Sequence, residues 1–383
     1  MTNTIKMRFH VVGLPHTAAT KEYAVCAFTQ NVINFCKMMK SLGHEVYHYG
    51  GEGSKVDCDE QIDIITAEER EKFWGANNWR QDFFKVDFDL KKPYWKIANE
   101  RAIAEIGKRI QPRDFICVIG GTCHEPIAKA FVNNMTVEFA IGYFGTFSKY
   151  RVFASYALMH YIYGKENKEI GHDFDAVIPH YFDPKDFKLH KKKDNYYAFV
   201  GRMIPNKGVW TAVAITKAIG AKLKLAGQGV VRQEAGTIQC VDGEIKGDHV
   251  QYLGTVGVKD RAKLMGKAKA LFVPSKYIEP FGNVVAEAML CGTPVIATDY
   301  GAFTETVEHG VTGFRVRTLG EAIEATKLLK TLRPAEIRAI ALRKFSIEVV
   351  KYKYQAYFEQ LMELWGEGWN TTKVSEHFIQ RYR

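Results

Sequence analysis

The chain is predicted to be an α/β protein made of two doubly wound, Rossmann-like halves, and three observations predict it. Short apolar, β-favouring runs alternate with helical patterns from residue 7 onward, which is the signature of parallel sheets flanked by helices. A polar, basic stretch over 183–195 (DPKDFKLHKKKDN) breaks that alternation and reads as a domain boundary. The alternation then restarts at Tyr196 and continues into a final amphipathic helix, and 383 residues suffice for two full cores.

In the first half, residues 7–13 form a strand ending in Gly13-Leu14-Pro15. A helix over 22–42 follows, with Val25, Phe28, Val32, Phe35, Met39 and Leu42 at helical spacing and Gly43 as its stop. Residues 44–49 return as a strand, which completes a βαβ opening. The loop GLPHTAAT lacks the G-x-G-x-x-G pattern, so a dehydrogenase-type dinucleotide site is not supported. Residues 50–70 read as polar connection, and 73–95 as an aromatic-rich insertion, either packed irregularly or serving as a platform for an acceptor. A helix over 96–110 leads to a strand over 115–119 that ends in GGTCHEP. That ending puts His124 at the carboxyl edge of the sheet, where ligands bind in open α/β folds. A strand over 137–143, a helix over 150–163 and a strand over 176–179 complete the half.

The second half reads as strands over 196–200, 222–226, 250–253, 270–273, 294–298 and 313–316, with Gly-rich turns and a hairpin over 227–248. Helices are expected from the GRMIPNKG loop to residue 219, over 259–267, from Asn283, over 304–309, 319–331 and 334–343, and over 347–365.

Composition narrows the class. With 46% apolar and 25% charged residues the chain is an ordinary globular protein, and no apolar run approaches the ~20 residues of a membrane helix. The apolar stretch near the N-terminus is too short for a signal peptide. Seven scattered cysteines without a C-x-x-C pair point to a reduced, cytoplasmic protein. Cys117, Cys123 and His124 lack a fourth ligand, so no metal site is expected. The net charge of +10 suits phosphorylated small molecules, an anionic membrane surface reached peripherally, or nucleic acid. Its even spread argues against a dedicated nucleic-acid groove.

Two stretches carry chemistry. Residues 274–297 (PSKYIEPFGNVVAEAMLCGTPVIA) run from a strand end through Pro280 and Gly282 into a helix. A glycine before a helix start leaves N–H groups and a partial positive charge for an anion. Glu287, one turn in, can accept from vicinal hydroxyls such as those of a ribose, and Glu279 sits in the loop. The plainer alternative is a core helix with two acids near its positive end. In the GRMIPNKG loop, Arg202 offers a planar fork and Lys207 a mobile point charge for phosphate oxygens. Together the two stretches describe a pocket for a nucleoside diphosphate.

These residues resemble the retaining, nucleotide-sugar-dependent glycosyltransferases of family 4. The likeness is strongest over 196–316, in G-R-M-I-P-N-K-G, V-Q-Y-L-G, L-F-V-P-S, E-P-F-G-N-V-V-A-E-A-M-L-C-G-T-P-V-I-A-T and V-E-H-G-V-T-G-F. In the first half only C-H-E-P and Ile178-Pro179-His180 match, and His180-Tyr181 stands where the family commonly has Asn-Gly. The resemblance implies a GT-B fold: two Rossmann-like domains facing across a cleft. It places an acceptor-side domain over 1–182, completed by 359–383, and a donor domain over 183–358. Tyr357, Leu361 and Trp365 would pack the last helix back onto the first domain.

By the same resemblance, Arg202 and Lys207 hold the donor diphosphate, Glu287 the ribose, and Glu279 the donor sugar. Phe281, Gly282, Asn283 and Val284 line the donor at the helix start, Gly13 borders donor and acceptor, and His124 meets the sugar near the reacting carbon. It implies no cofactor and no metal, the two cations neutralising the leaving group instead. UDP-sugars and GDP-mannose both remain open as donors, and a glycan, a lipid or a small molecule as acceptor. An inactive nucleotide-sugar-binding protein, an epimerase or phosphorylase of the same fold, and an enzyme that glycosylates DNA bases are the alternatives.

Overall fold

In the computed structural model, which describes residues 5–76, 78, 86–234, 236–365 and 371–374, two parallel sheets are wound by one rule. The first holds β1 (Arg8–Val12), β2 (Glu45–Gly51), β3 (Glu60–Ile65), β4 (Phe115–Val118), β5 (Met135–Ile141), β6 (Tyr150–Phe153) and β7 (Ala176–Val177), in the order β3-β2-β1-β4-β5-β6-β7. Along the second half come β8 (Tyr197–Val200), β9 (Leu223–Ala226), β10 (Val230–Glu234), β11 (Thr237–Cys240), β12 (Gly243–Lys246), β13 (Val250–Tyr252), β14 (Leu271–Val273), β15 (Val295–Thr298) and β16 (Gly313–Val316). Their main sheet runs β13-β9-β8-β14-β15-β16, and β10-β11-β12 form a separate antiparallel sheet. Strands such as β4 (FICV) and β5 (MTVEFAI) are buried throughout, because helices cover both faces of a parallel sheet.

Each main sheet reverses its strand order once, between β1 and β4 and between β8 and β14. At such a reversal neighbouring loops diverge to opposite faces and leave a crevice at the carboxyl ends of the strands. The GRMIPNKG loop follows β8 and the 274–282 loop follows β14, so both chemistry-bearing stretches border the second reversal.

Three local expectations change. Residues 150–153 are not helical: Tyr-Arg-Val-Phe pairs with β5 as β6, and the helix Tyr156–Lys165 starts only at Ser155, whose side chain accepts from the Leu158 N–H. Residues 50–70 contain β3 and the helix Ala67–Trp74, closed by a reciprocal Thr66–Glu69 capping box. Residues 227–248 form three strands rather than one hairpin. In the aromatic segment, Trp74 stacks near Tyr94 (4.6 Å) and Tyr94 near Trp95 (6.1 Å), whereas Trp79, Phe83 and Phe84 lie outside the described residues.

The two halves are tied at their crossings. The Phe182 N–H donates to the Phe345 carbonyl and the Ile347 N–H to the Phe182 carbonyl, so outgoing and returning chain run side by side. The helix Ile347–Leu364 then buries one face in the first half's core. Phe358 lies 4.7 Å from Phe9 and 4.9 Å from Phe115, Tyr354 lies 5.3 Å from Phe35, and the Tyr357 hydroxyl donates to the Phe174 carbonyl. This packing begins at Ile347, ahead of the residue 359 at which the crossing segment is expected. Residues 366–370 and 375–383 of that segment lie outside the described residues. A second tie lies away from the crossings. The Glu305 carboxylate accepts from the Tyr156 and Ala157 N–H groups, capping a helix of the first half, and Ser155 Oγ donates to the Pro280 carbonyl.

Phe358 is fully buried among five aromatic rings, so Phe358→Ala is expected to cost about 3–5 kcal/mol. Denaturant unfolding of the full chain should register the loss in the transition of the first half. A cost below about 1 kcal/mol would mean that the returning helix does not hold that half together.

Candidate functional site

The site is assembled by close backbone approach. Gly208 sits at φ +75°, and a Cβ there would lie 2.0 Å from the Pro274 carbonyl oxygen, so only glycine lets the loop after β8 press on the end of β14. The Lys276 N–H donates to the Asn206 carbonyl across the same seam. Gly227 repeats the arrangement on the other side, its Cβ position 1.9 Å from the Gly201 carbonyl oxygen. Lys207, lodged in this seam, reaches Glu279 Oε1 at 2.5 Å and the Tyr277 hydroxyl at 2.6 Å. Ser275 Oγ donates to the same Glu279 oxygen at 3.0 Å. Burial and the neighbouring Glu279 carboxylate push the Tyr277 hydroxyl pKa up, so it stays protonated.

The helix Asn283–Leu290 starts from Gly282 at φ +80°, and no side chain caps its first turn. A Cβ on Gly282 would fall 2.6 Å from the Phe303 ring. Glu287 lies one turn in, buried, with both oxygens taken by one guanidinium: Arg261 Nε donates to Oε2 at 2.7 Å and Nη2 to Oε1 at 2.6 Å. Burial pushes the Glu287 carboxyl up from the ordinary glutamate range, and the Arg261 charge works against it. Arg261 Nη1 also donates to the Ala24 carbonyl of the first half at 3.3 Å.

A cavity of about 610 Å³ lies between the halves. The second half contributes Arg202, Lys207, Glu279, Phe281, Gly282, Asn283, Val284, Glu287 and Arg261 to its lining. The first half contributes among others Tyr23, Phe28, Phe88 and His180. His180 crosses the gap, with Nδ1 2.7 Å from Asn283 Oδ1 and Nε2 3.3 Å from the Ala140 carbonyl oxygen. The histidine that stands where the family commonly has Asn thus braces the start of the helix. Arg202 is exposed to the cavity. Such a cavity can hold an anion between two cations and an uncapped helix start, with a carboxylate placed for hydroxyl groups.

Two of the expected site residues lie elsewhere. His124 follows β4 at the sheet edge, as its position in the sequence predicts, but it is fully buried and does not line the cavity. Its Nδ1 meets Asn99 Oδ1 at 3.1 Å and its ring stands edge-on to Trp95 at 5.2 Å. Trp95, itself fully buried, is one of the side chains packed against it. Gly13 lines a small separate void with Thr17, Thr29 and His48. Ser275, Tyr277 and Arg261 were not singled out in the sequence. Ser275 and Tyr277 sit in the stretch already marked, whereas Arg261 is one charge among several in VKDRAK, and only the fold turns it toward Glu287. Among the described residues no group of three or more His, Cys, Asp or Glu could hold a metal ion, and no helix is long and apolar enough to cross a membrane.

Buried histidines give the protein an acid limit. Burial lowers the His16 pKa to about 3 and those of His48 and His124 to about 4, against about 6.5 in an unfolded chain. These depressed values contribute stability that is present above pH 6.5 and lost as the pH falls toward 4. Glu138, pushed up to about 7 by burial, works the other way. Burial lowers the His44 and His180 pKa values as well, so the histidines outweigh that glutamate: unfolding takes up protons around pH 5.5, and stability falls as the pH drops below 6.5. Chemical denaturation at pH 6.5, 6.0 and 5.5 should show that loss, and a flat profile would contradict the buried neutral rings.

Comparison with known proteins agrees with this geometry. Residues 182–333 match the family described as "Glycosyl transferases group 1". An uncharacterized glycosyltransferase of Methanocaldococcus jannaschii is 30% identical over 186 residues, which are 47% of this chain and 52% of that one. The chain spans about half, or less, of the length of the curated relatives it matches. Sucrose-phosphate synthase from Thermosynechococcus elongatus superposes with a TM-score of 0.69 at 17% identity, covering 93% of this chain and 99% of that one. Anabaena HepE, solved in complex with UDP-glucose, superposes with a TM-score of 0.61 at 16% identity, covering 93% and 99%. These likenesses establish the GT-B fold.

Proposed function

We propose that this chain is a group 1, family 4-like glycosyltransferase of the GT-B fold that moves a sugar from a nucleoside-diphosphate donor to an acceptor, with retention and without a metal ion. One observation carries the reading: Arg202, Lys207, the uncapped helix start at Gly282 and the Glu287 carboxylate converge on a single cavity. The UDP-glucose bound to Anabaena HepE supports the donor class. The reading covers UDP- and GDP-sugars alike.

In this reading the diphosphate lies at the N–H groups of Gly282, Asn283 and Val284, between Arg202 and Lys207. As the bond from the sugar to the diphosphate breaks, its electron pair leaves on a phosphate oxygen; an acceptor hydroxyl bonds to the freed carbon and passes its proton to the departing diphosphate, and the two cations neutralise the charge a divalent metal would otherwise meet. Glu287 takes the ribose hydroxyls. Glu279, held by Lys207 and Ser275, faces the sugar as a hydrogen-bond acceptor rather than as a nucleophile. The acceptor enters along the first half's wall, past Tyr23, Phe28 and Phe88. His124, fully buried away from the cavity, would meet the sugar only if the segments that bury it move. The net charge of +10 suits a peripheral approach to an anionic membrane surface, and the seven free cysteines suit a reducing cytoplasm.

Thermal shift over UDP- and GDP-sugars selects the donor, because a ligand of the native state raises Tm. With that donor, Lys207→Ala and Glu279→Ala should each lower kcat by about 100-fold or more in a folded protein. Glu287→Ala should instead weaken nucleotide binding ~10–100-fold. Activity should persist in excess EDTA. Near-normal turnover in either of the first two variants, or metal-restored activity after EDTA, would overturn the respective assignment.

A further inference from the structure

We propose that Arg261 is a positioning residue for the ribose seat: it aligns Glu287 by a two-point ion pair and, through Ala24, makes that seat depend on the first half of the chain. The proposal rests on reading the cavity as a nucleotide site.

The geometry has three parts. First, the fork is complete, with Nε on Oε2 and Nη2 on Oε1, and the side chains of the two partners are only 12% and 6% exposed. A parallel two-bond pair fixes the carboxylate plane as well as its position. Each oxygen keeps a second lone pair, so the fork leaves Glu287 able to accept two hydroxyl groups from the cavity side. Second, Arg261 comes from the helix Val258–Lys267, whereas Glu287 comes from the helix Asn283–Leu290, so the pair sets the spacing of two walls of the cavity. Third, Nη1 reaches the Ala24 carbonyl, in the segment that precedes the helix Ala27–Ser41 of the first half. Nucleotide hydroxyls that pull on Glu287 therefore pull, through one rigid guanidinium, on a loop across the cleft.

The remaining charged and titratable groups around Glu287 cannot replace Arg261. Asp186, on the linker, is of like sign and is engaged by Lys21. Cys291, on the same helix, has its thiol pushed up to about 12 by burial. Lys193 donates to the Gly266 carbonyl and Thr293 Oγ1, and Arg338 donates to the Phe187 and Leu290 carbonyls. Without Arg261 the Glu287 carboxyl would be buried beside a carboxylate with no cation bonded to it, and it would take up a proton.

The test uses the full chain and two pairs of probes, UDP with 2′,3′-dideoxy-UDP and GDP with 2′,3′-dideoxy-GDP, titrated by calorimetry from pH 6 to pH 9. The ratio of the two Kd values within a pair isolates the ribose hydroxyls and cancels the titration of the diphosphate. In the unaltered protein one pair should show a ratio of about 10 or more, and Glu287→Ala should bring that ratio to about 1. Arg261→Gln should bring it near 1 at pH 6, with recovery as the pH rises. The midpoint should lie about one pH unit or more above that of the unaltered protein. Arg261→Lys, which keeps the charge and loses the fork, should keep the lower midpoint with a reduced ratio, and it serves if the Gln variant does not fold. An unchanged ratio and midpoint in both Arg261 variants, beside a collapsed ratio in Glu287→Ala, would overturn the role of Arg261 alone. Failure of the unaltered protein to bind either nucleotide would overturn the nucleotide reading, and this inference with it.

Discussion

The site depends on one steric constraint: the backbone at Gly208 touches the backbone at Pro274. A side chain at residue 208 would stand 2.0 Å from a carbonyl oxygen that belongs to the end of a strand and cannot retreat. The contact closes the loops after β8 and β14 onto one another, and it places Lys207 within 2.5 Å of Glu279. It lies at the point where the strand order of the sheet reverses, so closing the seam does not close the crevice. The positive loop and the uncapped helix start come to face one cavity because the topology leaves an opening there and the glycines let its rims meet.

Two acids in that cavity are held by different physics. Glu279 is engaged through Oε1 by a lysine and a serine, each a single-point contact. Glu287 is engaged through both oxygens by one planar guanidinium. A buried carboxylate is tolerated only when paired and hydrogen-bonded, and the return from such a pair lies more in orientation than in stability. The cost of ordering these charges is carried by the surrounding fold. Met289 and Leu290 of the same helix are buried in the second half's core, which anchors the helix that bears Glu287.

The halves are coupled at several independent places: the paired crossings at Phe182 and Ile347, the Glu305 cap on the helix Tyr156–Lys165, the Ser155–Pro280 hydrogen bond, and the brace from His180 to Asn283. Two of the four end on Pro280 and Asn283, which line the cavity. Movement of one half against the other would therefore be felt at the rim, which makes the occupancy of the cavity and the closure of the cleft parts of one equilibrium.

Much of this was legible in the sequence, and the reasons differ by element. Strands such as FICV and helices such as Asn283–Leu290 declare themselves by period and by glycine punctuation, since local backbone preference and burial agree there. Residues 150–153 misled because so short a strand, Tyr-Arg-Val-Phe, runs almost directly into an apolar helix, and only pairing with β5 separates them. Arg202, Lys207, Glu279 and Glu287 could be singled out because each lies beside a strand end or helix start whose backbone geometry is visible in its neighbours. Arg261 could not, because its partner is set by the packing of two helices. Nor could the burial of His124, which is packed against Trp95 and bonded to Asn99, both on another helix. The sequence by itself determined the two-sheet architecture and the charged rim of the cavity, because periodicity and glycines are local. Tertiary structure alone decided which cation meets which acid and which edge residue is sealed from the cavity, because both depend on side chains brought together across the fold.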